Sequence, residues 1–233
     1  MNQNRGDREA ILGRVREALR EEAPLKHPAE RSAGGEPTTA HFREWLPPVG
    51  ASIDERFALF AKLSESLRTE LHLCADMAEV SAFIKKLAEE GNWKTIALHT
   101  GELISPLISE LPPQLSPLLL QSGYDKDELE ACDAGLTECD LLVAQTGSVC
   151  VTSKSAGGRV LSVLPPHHIV VARKSQMVTD LTEAYASLAT KYRDAYPSMI
   201  SFITGPSRTG DIERILVLGA HGPKRLTVLL LPA

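Results

Sequence analysis

The C-terminal stretch Met199–Leu231, MISFITGPSRTGDIERILVLGAHGPKRLTVLLL, decides the fold of this chain. Its two apolar ends, Met199–Thr204 and Leu226–Leu231, are rich in branched residues and predict buried strands. Between them the run Ile212–Leu218 is typical of a helix, and Gly219 follows at the position where glycine often ends one. We therefore expect the order strand, loop, helix, strand of an α/β protein.

The loop Gly205–Asp211 follows the first of these strands and precedes the predicted helix, which is where α/β sheets bind ligands. Unpaired N–H groups at a helix N-terminus attract anions, and hydroxyl and guanidinium donors strengthen that attraction. The loop supplies the turn glycine and the side-chain donors: Gly205, Ser207, Arg208 and Thr209. We predict a carboxylate or phosphate site here, although an ordinary turn with Asp211 as the helix N-cap explains the same residues.

One nucleotide-binding motif is excluded at this loop. Gly205 and Gly210 have the G-x-x-x-x-G spacing of a P-loop, but Asp211 and Ile212 stand where the motif requires Lys and Ser or Thr. The sequence therefore does not predict an NTPase of the P-loop type.

The second glycine loop, Gly219–Pro223, places His221 just before the last strand. An imidazole there is either a ligand contact or acid–base group, or a hydrogen-bonded structural residue. We take His221 as the candidate proton carrier and Asp211 as the second candidate catalytic residue.

Composition excludes several classes of protein. The 233 residues are 43% hydrophobic and 24% charged, as in an ordinary globular protein, and the net charge of −5 gives no basic surface for nucleic acid. No apolar run approaches the ~20 residues that span a bilayer, and the N-terminus lacks the apolar core of a signal peptide. We expect a cytoplasmic protein.

The four cysteines indicate buried, reduced thiols. They are scattered without any C-x-x-C pair, which argues against a zinc or iron–sulfur site within this chain. Their positions are Cys74, Cys132, Cys139 and Cys150. His167 and His168 are adjacent, so on a strand they point to opposite faces and do not serve one metal. We predict no metal site and no cofactor bound by this chain alone.

The rest of the chain predicts an N-terminal helix and a Pro/Gly-rich arm within residues 1–50, and one α/β domain over residues 51–233. The stripe of the N-terminal helix packs either on that domain or on a partner subunit. Beyond residue 50, helices alternate with apolar strands, which indicates a mostly parallel sheet covered on both faces. The predicted elements include a helix after Ile53, a helix from Asp76 to Gly91, strands at Thr95–Thr100, Pro117–Gln121 and Ile169–Arg173, and a helix Asp125–Ala134 ended by Gly135.

The alternation breaks at Leu141–Val151, where two strand-like runs meet at Thr146 and Gly147 with no room for a crossover helix. The second run either continues a bent strand or begins an antiparallel one. Such a break leaves a crevice at strand ends. Candidate ligand contacts here are Thr146, Gly147, Ser148 and Arg159, each of which is otherwise an ordinary turn or surface residue.

These motifs together resemble the lactate-utilisation protein C family (LutC/YkgG), which is built on the LUD domain. The resemblance runs from about Ile53 to the C-terminus and includes the arginine-rich N-terminal helix. It is carried by Gly135–Asp140, Gln145–Ser148, Leu164–Ile169, Gly205–Glu213 and Gly219–Pro223. It implies a three-layer α/β/α sandwich of the NagB/RpiA/CoA transferase-like kind.

The resemblance also implies a function. This chain would be a subunit of a system that oxidises L-lactate to pyruvate, with iron–sulfur clusters carried by partner proteins, and it would bind a small carboxylate or phosphate in a cleft at strand ends. A stand-alone enzyme of the CoA-transferase or cyclo-ligase kind is the alternative. If Gln145–Gly147 occupies the place where some enzymes of the wider group have a nucleophilic glutamate, the Gln145 amide cannot form an acyl anhydride, which argues against CoA transfer by that route. A purely structural or regulatory module that binds through the N-terminal helix is a third possibility.

Overall fold

The computed structural model describes residues 11–17, 20, 46–120, 125–209, 217–219 and 221–232. The chain divides into two compact units, Met1–Trp45 and Leu46–Ala233. In the first unit residues 11–17 are helical, and Ile11 and Val15 are exposed. Most of the predicted Pro/Gly-rich arm lies outside the described residues.

The second unit carries the strands and the longer helices. Its strands are β1 Glu70–Leu73, β2 Thr95–Leu98, β3 Ser116–Leu119, β4 Ala134–Glu138, β5 Leu141–Val143, β6 Ser148–Thr152, β7 His167–Arg173, β8 Met177–Val178, β9 Ile200–Ile203, β10 Arg208–Thr209, β11 Val217–Leu218 and β12 Arg225–Leu231. Its helices are α1 Ile53–Leu67, α2 Met77–Glu90, α3 Ser105–Ile108, α4 Lys126–Glu130 and α5 Leu181–Lys191.

Local sequence signals explain where the two longest helices begin. The Ser52 side chain accepts a hydrogen bond from the N–H of Glu55, whose carboxylate accepts from Ser52 in return, so α1 begins at a capping box. The Asp76 carboxylate accepts from the N–H of Glu79 at 2.9 Å. The Glu79 carboxylate accepts from the N–H of Ala75 rather than from that of Asp76. The predicted start of α2 is therefore confirmed.

The main sheet has six strands in the order β1, β12, β7, β4, β2, β3, and every neighbouring pair is parallel. In the centre β7 and β12 pair over seven residues, from His167 opposite Arg225 to Arg173 opposite Leu231. Such strands are buried on both faces, which explains their near-continuous apolar sequence. The prediction of an α/β fold with a mostly parallel sheet is confirmed.

The two faces of the main sheet are covered differently. Helices α2 and α3 cover one face, where Val80, Ile84 and Leu107 pack on strand residues such as Leu136 and Ile169. On the other face α1 and a second sheet, of order β8, β5, β6, β9, pack on residues of β7 and β12. Helix α5 covers the outer side of that second sheet.

The break at Thr146 and Gly147 is an antiparallel hairpin. Val143 of β5 pairs with Ser148 of β6, and β6 also pairs antiparallel with β9. The antiparallel alternative for the second run is therefore the correct one. The strand predicted at Met199–Thr204 exists as β9, but it belongs to this second sheet and not to the parallel one.

Two predicted helices are wrong in part. The helix predicted over Asp125–Ala134 begins as expected, with Asp125 as the N-cap of α4, but it ends at Glu130. Gly135 does not end a helix. It lies inside the central strand β4, where a side chain would collide with the backbone of Leu161. The last residues of the predicted helix 212–218, Val217 and Leu218, form β11 and pair antiparallel with Arg208 and Thr209. A short run of branched apolar residues fits a strand as well as a helix, and pairing with β10 makes Val217 and Leu218 a strand.

The adjacent histidines of β7 lie on opposite faces of the main sheet, as the strand period requires. His167 Nε2 is 2.8 Å from the Thr227 hydroxyl, whereas His168 Nε2 is 2.8 Å from the Thr137 hydroxyl. Burial lowers the pKa of His167 to about 4 and that of His168 to about 3. Both rings are therefore neutral inside the folded protein.

These two histidines are expected to make the fold acid-sensitive. Below pH 6.5 the unfolded chain binds protons that the folded rings bind only near pH 4 and pH 3, so stability falls as pH falls. Each ring contributes about 1.4 kcal/mol per pH unit to that loss. The free energy of unfolding, measured with urea at several pH values between 7 and 5, should fall with decreasing pH along a shallower slope for His168→Gln than for wild type. His221→Gln, at an exposed position, is the matched control and should keep the wild-type slope.

Gly135 is expected to tolerate no side chain. A Cβ at this position would lie 2.5 Å from the carbonyl oxygen of Leu161, a backbone atom that cannot move aside cheaply. We expect Gly135→Ala to lower the free energy of unfolding by about 2–3 kcal/mol. Gly13→Ala, in the helix 11–17 and with no atom within 4 Å of its Cβ, should not lower the free energy of unfolding, because alanine favours a helix more than glycine does. Equal stability of the two variants would contradict the placement of Gly135.

Candidate functional site

A polar cleft opens at the carboxyl ends of the parallel strands β4 and β7, the edge where α/β sheets usually bind ligands. We call it the first cleft; its volume is about 330 Å³. It is lined by Glu102, Leu103, Glu138, Cys139, Lys154, Ser155, Arg173, Gln176, Lys191 and Tyr192. The main sheet, the loop after β6 and the end of α5 all contribute to it.

Three cations and two carboxylates line this cleft. Arg173 Nη2 lies 3.2 Å from Glu102 Oε1, and both groups are largely exposed. Lys191 Nζ lies 2.6 Å from Asp140 Oδ1, which is behind the wall of the cleft. Lys154 Nζ donates to the carbonyl of Ala195 at 2.6 Å, and within the described residues no carboxylate pairs with it. With Asp140 counted, three cations face three carboxylates, and Lys154 is the cation that has no carboxylate partner among the described residues.

A buried carboxylate holds one side of the first cleft in place. The side chain of Asp140 is 0% exposed, and its Oδ1 accepts from both Lys191 Nζ and, at 2.5 Å, the Tyr192 hydroxyl. Burial alone raises the pKa of Asp140, but hydrogen bonds from Lys191, Ser155, Tyr192 and Thr152 outweigh it and lower the pKa below its usual value. Asp140 is therefore charged and fixes the Lys191 ammonium and the Tyr192 ring at the cleft.

Glu138 ends β4 and closes the other side. Its Oε1 accepts from the backbone N–H groups of Leu103 at 2.6 Å and Ile104 at 3.2 Å. The N–H of Glu138 donates to His99 Nε2 at 3.4 Å, while His99 Nδ1 lies 2.9 Å from the carbonyl of Thr100. A carbonyl only accepts, so Nδ1 carries the proton and His99 joins β2 to β4 as a neutral ring.

A second cleft, of about 560 Å³, adjoins the first at Lys154. It is lined by His99, Thr100, Leu120, Ser153, Lys154, Gly157 and Gly158, and so lies at the carboxyl ends of β2 and β3. Gly157 has φ +62°, and a Cβ there would collide with the His99 side chain. The loop can lie this close to β2 only because position 157 is glycine.

The cysteines do not provide a nucleophile. All four are buried, as predicted, and burial raises the pKa of the Cys74 and Cys132 thiols to about 11 and that of Cys150 to about 12. Cys139 lines the first cleft, but burial and the neighbouring Asp140 raise its pKa well above the usual value. These thiols are protonated at neutral pH and so are weak nucleophiles.

The residues predicted from the glycine loops do come together, but at a different edge. The Thr146 hydroxyl is 2.7 Å from that of Ser148, which is in turn 2.7 Å from that of Thr204. Gly147 and Gly205 have positive φ and both contact the end of α1, at Leu63 and Leu67 respectively. The hairpin turn and the loop after β9 thus meet at the C-terminus of α1.

The second half of the predicted site continues along the same edge. The N–H of Ser207 donates to the carbonyl of Pro223 at 2.8 Å, and Ser207 also packs on Gly222, the neighbour of His221. Arg208 and His221 are exposed. The N–H of Lys224 donates to the carbonyl of Pro166, just before β7 begins. This group of residues therefore lies at the amino ends of β7 and β12, opposite the two clefts.

Arg159, Thr209 and Asp211 are the remaining predicted residues. Arg159 Nη2 donates to the carbonyl of Ser198 at 2.9 Å and does not line the first cleft. Thr209 belongs to β10, and Asp211 lies outside the described residues. The helix N-terminus expected at Gly205–Asp211 is not supported, since the described parts of this segment form the β10–β11 hairpin. The roles of these residues in ligand binding stay predictions.

Sequence reasoning missed Lys154, Arg173, Lys191 and Glu138. Arg173 and Glu138 are the polar residues that end apolar strands, so their positions were a usable signal for the carboxyl edge. Lys154 and Lys191 carried no such signal, because only tertiary folding brings the loop after β6 and the end of α5 to that edge.

Two negative findings hold for the part of the chain that the structure describes. There, no three His, Cys, Asp or Glu side chains are grouped so as to hold a metal ion. The described helices are also all too short or too polar to cross a membrane.

Several known proteins are similar to this chain in sequence. A Lactate utilization protein C of Exiguobacterium sp. is 28% identical over 236 residues, or 96% of this chain and 95% of that protein. Proteins of the same name from Geobacillus sp. and Deinococcus radiodurans are 38% and 36% identical over 106 and 104 residues. Those two alignments cover 45% and 44% of this chain and only 44% and 48% of the relatives.

A solved structure and a family model are also similar to this chain. The crystal structure of a DUF162 family protein from Deinococcus radiodurans superposes with a TM-score of 0.61 at 24% identity, covering 78% of this chain and 99% of that one, and so supports the fold. The model of the LUD domain matches residues 57–231, which include β1 to β12 and both clefts. The chain therefore belongs to the LUD domain family.

Proposed function

We propose that this chain serves lactate utilisation as a subunit that binds a small carboxylate, such as L-lactate or pyruvate, in the first cleft. The observation that carries the proposal is the convergence of Arg173, Lys154 and Lys191 at the carboxyl ends of β4 and β7. The names of the full-length and partial relatives support the process, and the Lys154 ammonium together with the exposed Arg173–Glu102 pair supports an anionic ligand.

Each lining group has a chemical task in this proposal. The planar guanidinium of Arg173 pairs with the carboxylate, and it is the group whose present partner, Glu102, is exposed and easily exchanged. Lys191, fixed by Asp140, adds charge from the other side. The hydroxyl hydrogens of Tyr192 and Ser155 are donated to Asp140, so their oxygens line the cleft as acceptors for the hydroxyl group of L-lactate. The volume of about 330 Å³ is at the small end of ligand pockets.

The redox step belongs to partner proteins in this proposal. Oxidation of L-lactate to pyruvate releases two electrons and two protons; iron–sulfur clusters on partners accept the electrons, and the protons pass to solvent. This chain then holds or delivers the acid to a cytoplasmic complex.

A stand-alone acyl-transfer enzyme is a second candidate, and Glu138 is the observation that favours it. Its carboxylate lines the first cleft, and only Oε1 is engaged by backbone N–H groups. A carboxylate oxygen that is free to react is what covalent acyl transfer requires. Turnover of an acyl-CoA by the purified chain would select this candidate over the subunit.

Calorimetry with L-lactate tests the site. We expect Arg173→Gln to weaken binding about tenfold or more, because a hydrogen bond to a charged group contributes about 1.5–3 kcal/mol. Arg208→Ala, at the amino edge, is the matched control and should bind like wild type. If Arg208→Ala loses affinity and Arg173→Gln does not, the ligand occupies the glycine loops and the first cleft is the wrong site.

Co-purification tests the partners. A tagged full-length chain, expressed at its native level in its own cell, should retain proteins that carry iron and acid-labile sulfide, measured by metal analysis and mass spectrometry. The tag on an unrelated protein is the control. Recovery of this chain alone, under conditions where it still binds L-lactate, would contradict the subunit role but leave the ligand site standing.

A further inference from the structure

We propose that the second cleft is a site for a tetrahedral oxyanion, the phosphoryl group of a phosphorylated ligand, bound by the loop Ser153–Gly158. This site is separate from the carboxylate site of the first cleft, and the two meet at Lys154. Four features of the second cleft carry the proposal: its backbone, its cation, its hydroxyls and its lack of carboxylates.

The backbone of the loop has two N–H donors, at Gly157 and Gly158, without a hydrogen-bond partner among the described residues. Gly157 and Gly158 have φ of +62° and +126°, which side-chain-bearing residues rarely adopt. A Cβ at Gly158 would meet no atom within 4 Å, so this part of the loop faces the cleft rather than the core. Among the hydrogen bonds of the described residues, none uses the N–H of Gly157 or Gly158. Successive free N–H groups at such a turn form an anion-binding concavity.

The cation of the second cleft suits a phosphoryl group. Lys154 is exposed, lines the cleft and has no carboxylate partner within the described residues. A lysine ammonium is a compact point charge that binds phosphate well, whereas an arginine fork matches a planar carboxylate. The two clefts therefore differ in kind, because Arg173 lines the first and not the second.

Two hydroxyls complete the set of donors. Thr100 is exposed at the end of β2, and its side chain makes no hydrogen bond within the described residues. Ser153 Oγ accepts from the N–H of Ser198 at 3.1 Å, which leaves its own hydrogen free to donate into the cleft. A tetrahedral oxyanion has enough acceptor oxygens for both hydroxyls, the two N–H groups and the ammonium.

Within the described residues, the wall of the second cleft carries no negatively charged side chain that would repel an anion. No Asp or Glu is among its lining residues, in contrast to Glu102 and Glu138 in the first cleft. His99 forms the floor under Gly157, and hydrogen bonds to both of its ring nitrogens hold it in one orientation. The volume of about 560 Å³ leaves room for more of the ligand than the phosphoryl group.

Binding of inorganic phosphate to the full-length chain tests the proposal, with affinity followed by calorimetry at constant ionic strength. We expect Thr100→Glu, which places a negative charge in the second cleft, to weaken phosphate binding at least tenfold, while Thr100→Ser restores it. Lys154→Gln should weaken it by a similar factor. Arg173→Gln, in the first cleft, and Arg208→Ala, at the amino edge, should each leave the phosphate affinity within twofold of wild type.

The outcomes separate this proposal from the carboxylate site. Phosphate that still binds in the presence of saturating L-lactate, and is lost only with Thr100→Glu and Lys154→Gln, supports two sites. The proposed phosphate site is overturned if wild type does not bind phosphate, if Thr100→Glu binds it as tightly as wild type, or if Arg208→Ala loses phosphate binding. Failure of L-lactate to bind would end the proposed carboxylate site, and the comparison of phosphate affinity between wild type and the variants would still test the second cleft.

Discussion

The structure depends on the seven-residue parallel pairing of β7 with β12 at the centre of the main sheet. Ile169, Val170, Val171 and Ala172 have no exposed surface, because α2 and α3 cover one face and α1 with the second sheet covers the other. Polar groups that must reach solvent or a ligand are therefore confined to the strand ends. The buried exceptions, His167 and His168, are neutral and hydrogen-bonded.

The second sheet connects the two edges of the main sheet. The β5–β6 hairpin starts at the carboxyl edge with Asp140, turns at the amino edge at Thr146 and Gly147, and returns to the carboxyl edge at Lys154. One hairpin thus supplies a buried anion and an exposed cation to the clefts. At the opposite edge the Thr146 hydroxyl of its turn hydrogen-bonds that of Ser148, which in turn hydrogen-bonds that of Thr204.

Asp140 links this hairpin to α5. Its partner Lys191 is 51 residues away in sequence, and the pair joins the second sheet to the helix that covers it. Lys191 is 54% exposed and so remains well solvated, whereas Asp140 is fully buried and depends on its hydrogen bonds. Loss of Asp140 would free two groups that line the first cleft, so a residue that no ligand touches controls the shape of the site.

The sequence by itself determined the local elements and the fold class. Asp76, Glu79 and the apolar period identify α2, the continuous apolar runs identify the central strands, and the motifs together identified the family. These features are encoded within a few residues of one another, or in the order of motifs along the chain. A short apolar run such as the one that ends at Val217 and Leu218 fits the period of a helix and that of a strand. Local sequence does not decide between them, and the helix prediction was wrong at these two residues.

Only the tertiary structure decided which edge of the sheet each loop occupies. The loop after β9 was expected at the carboxyl edge because it follows a strand, but β9 pairs antiparallel with β6 in the second sheet and so delivers Ser207 to the amino edge. Strand direction depends on pairing between residues about fifty positions apart, and no local pattern records it. For the same reason no local pattern marked Lys154 and Lys191 as cations of the clefts. They reach the clefts because the β5–β6 hairpin and α5 pack together around Asp140.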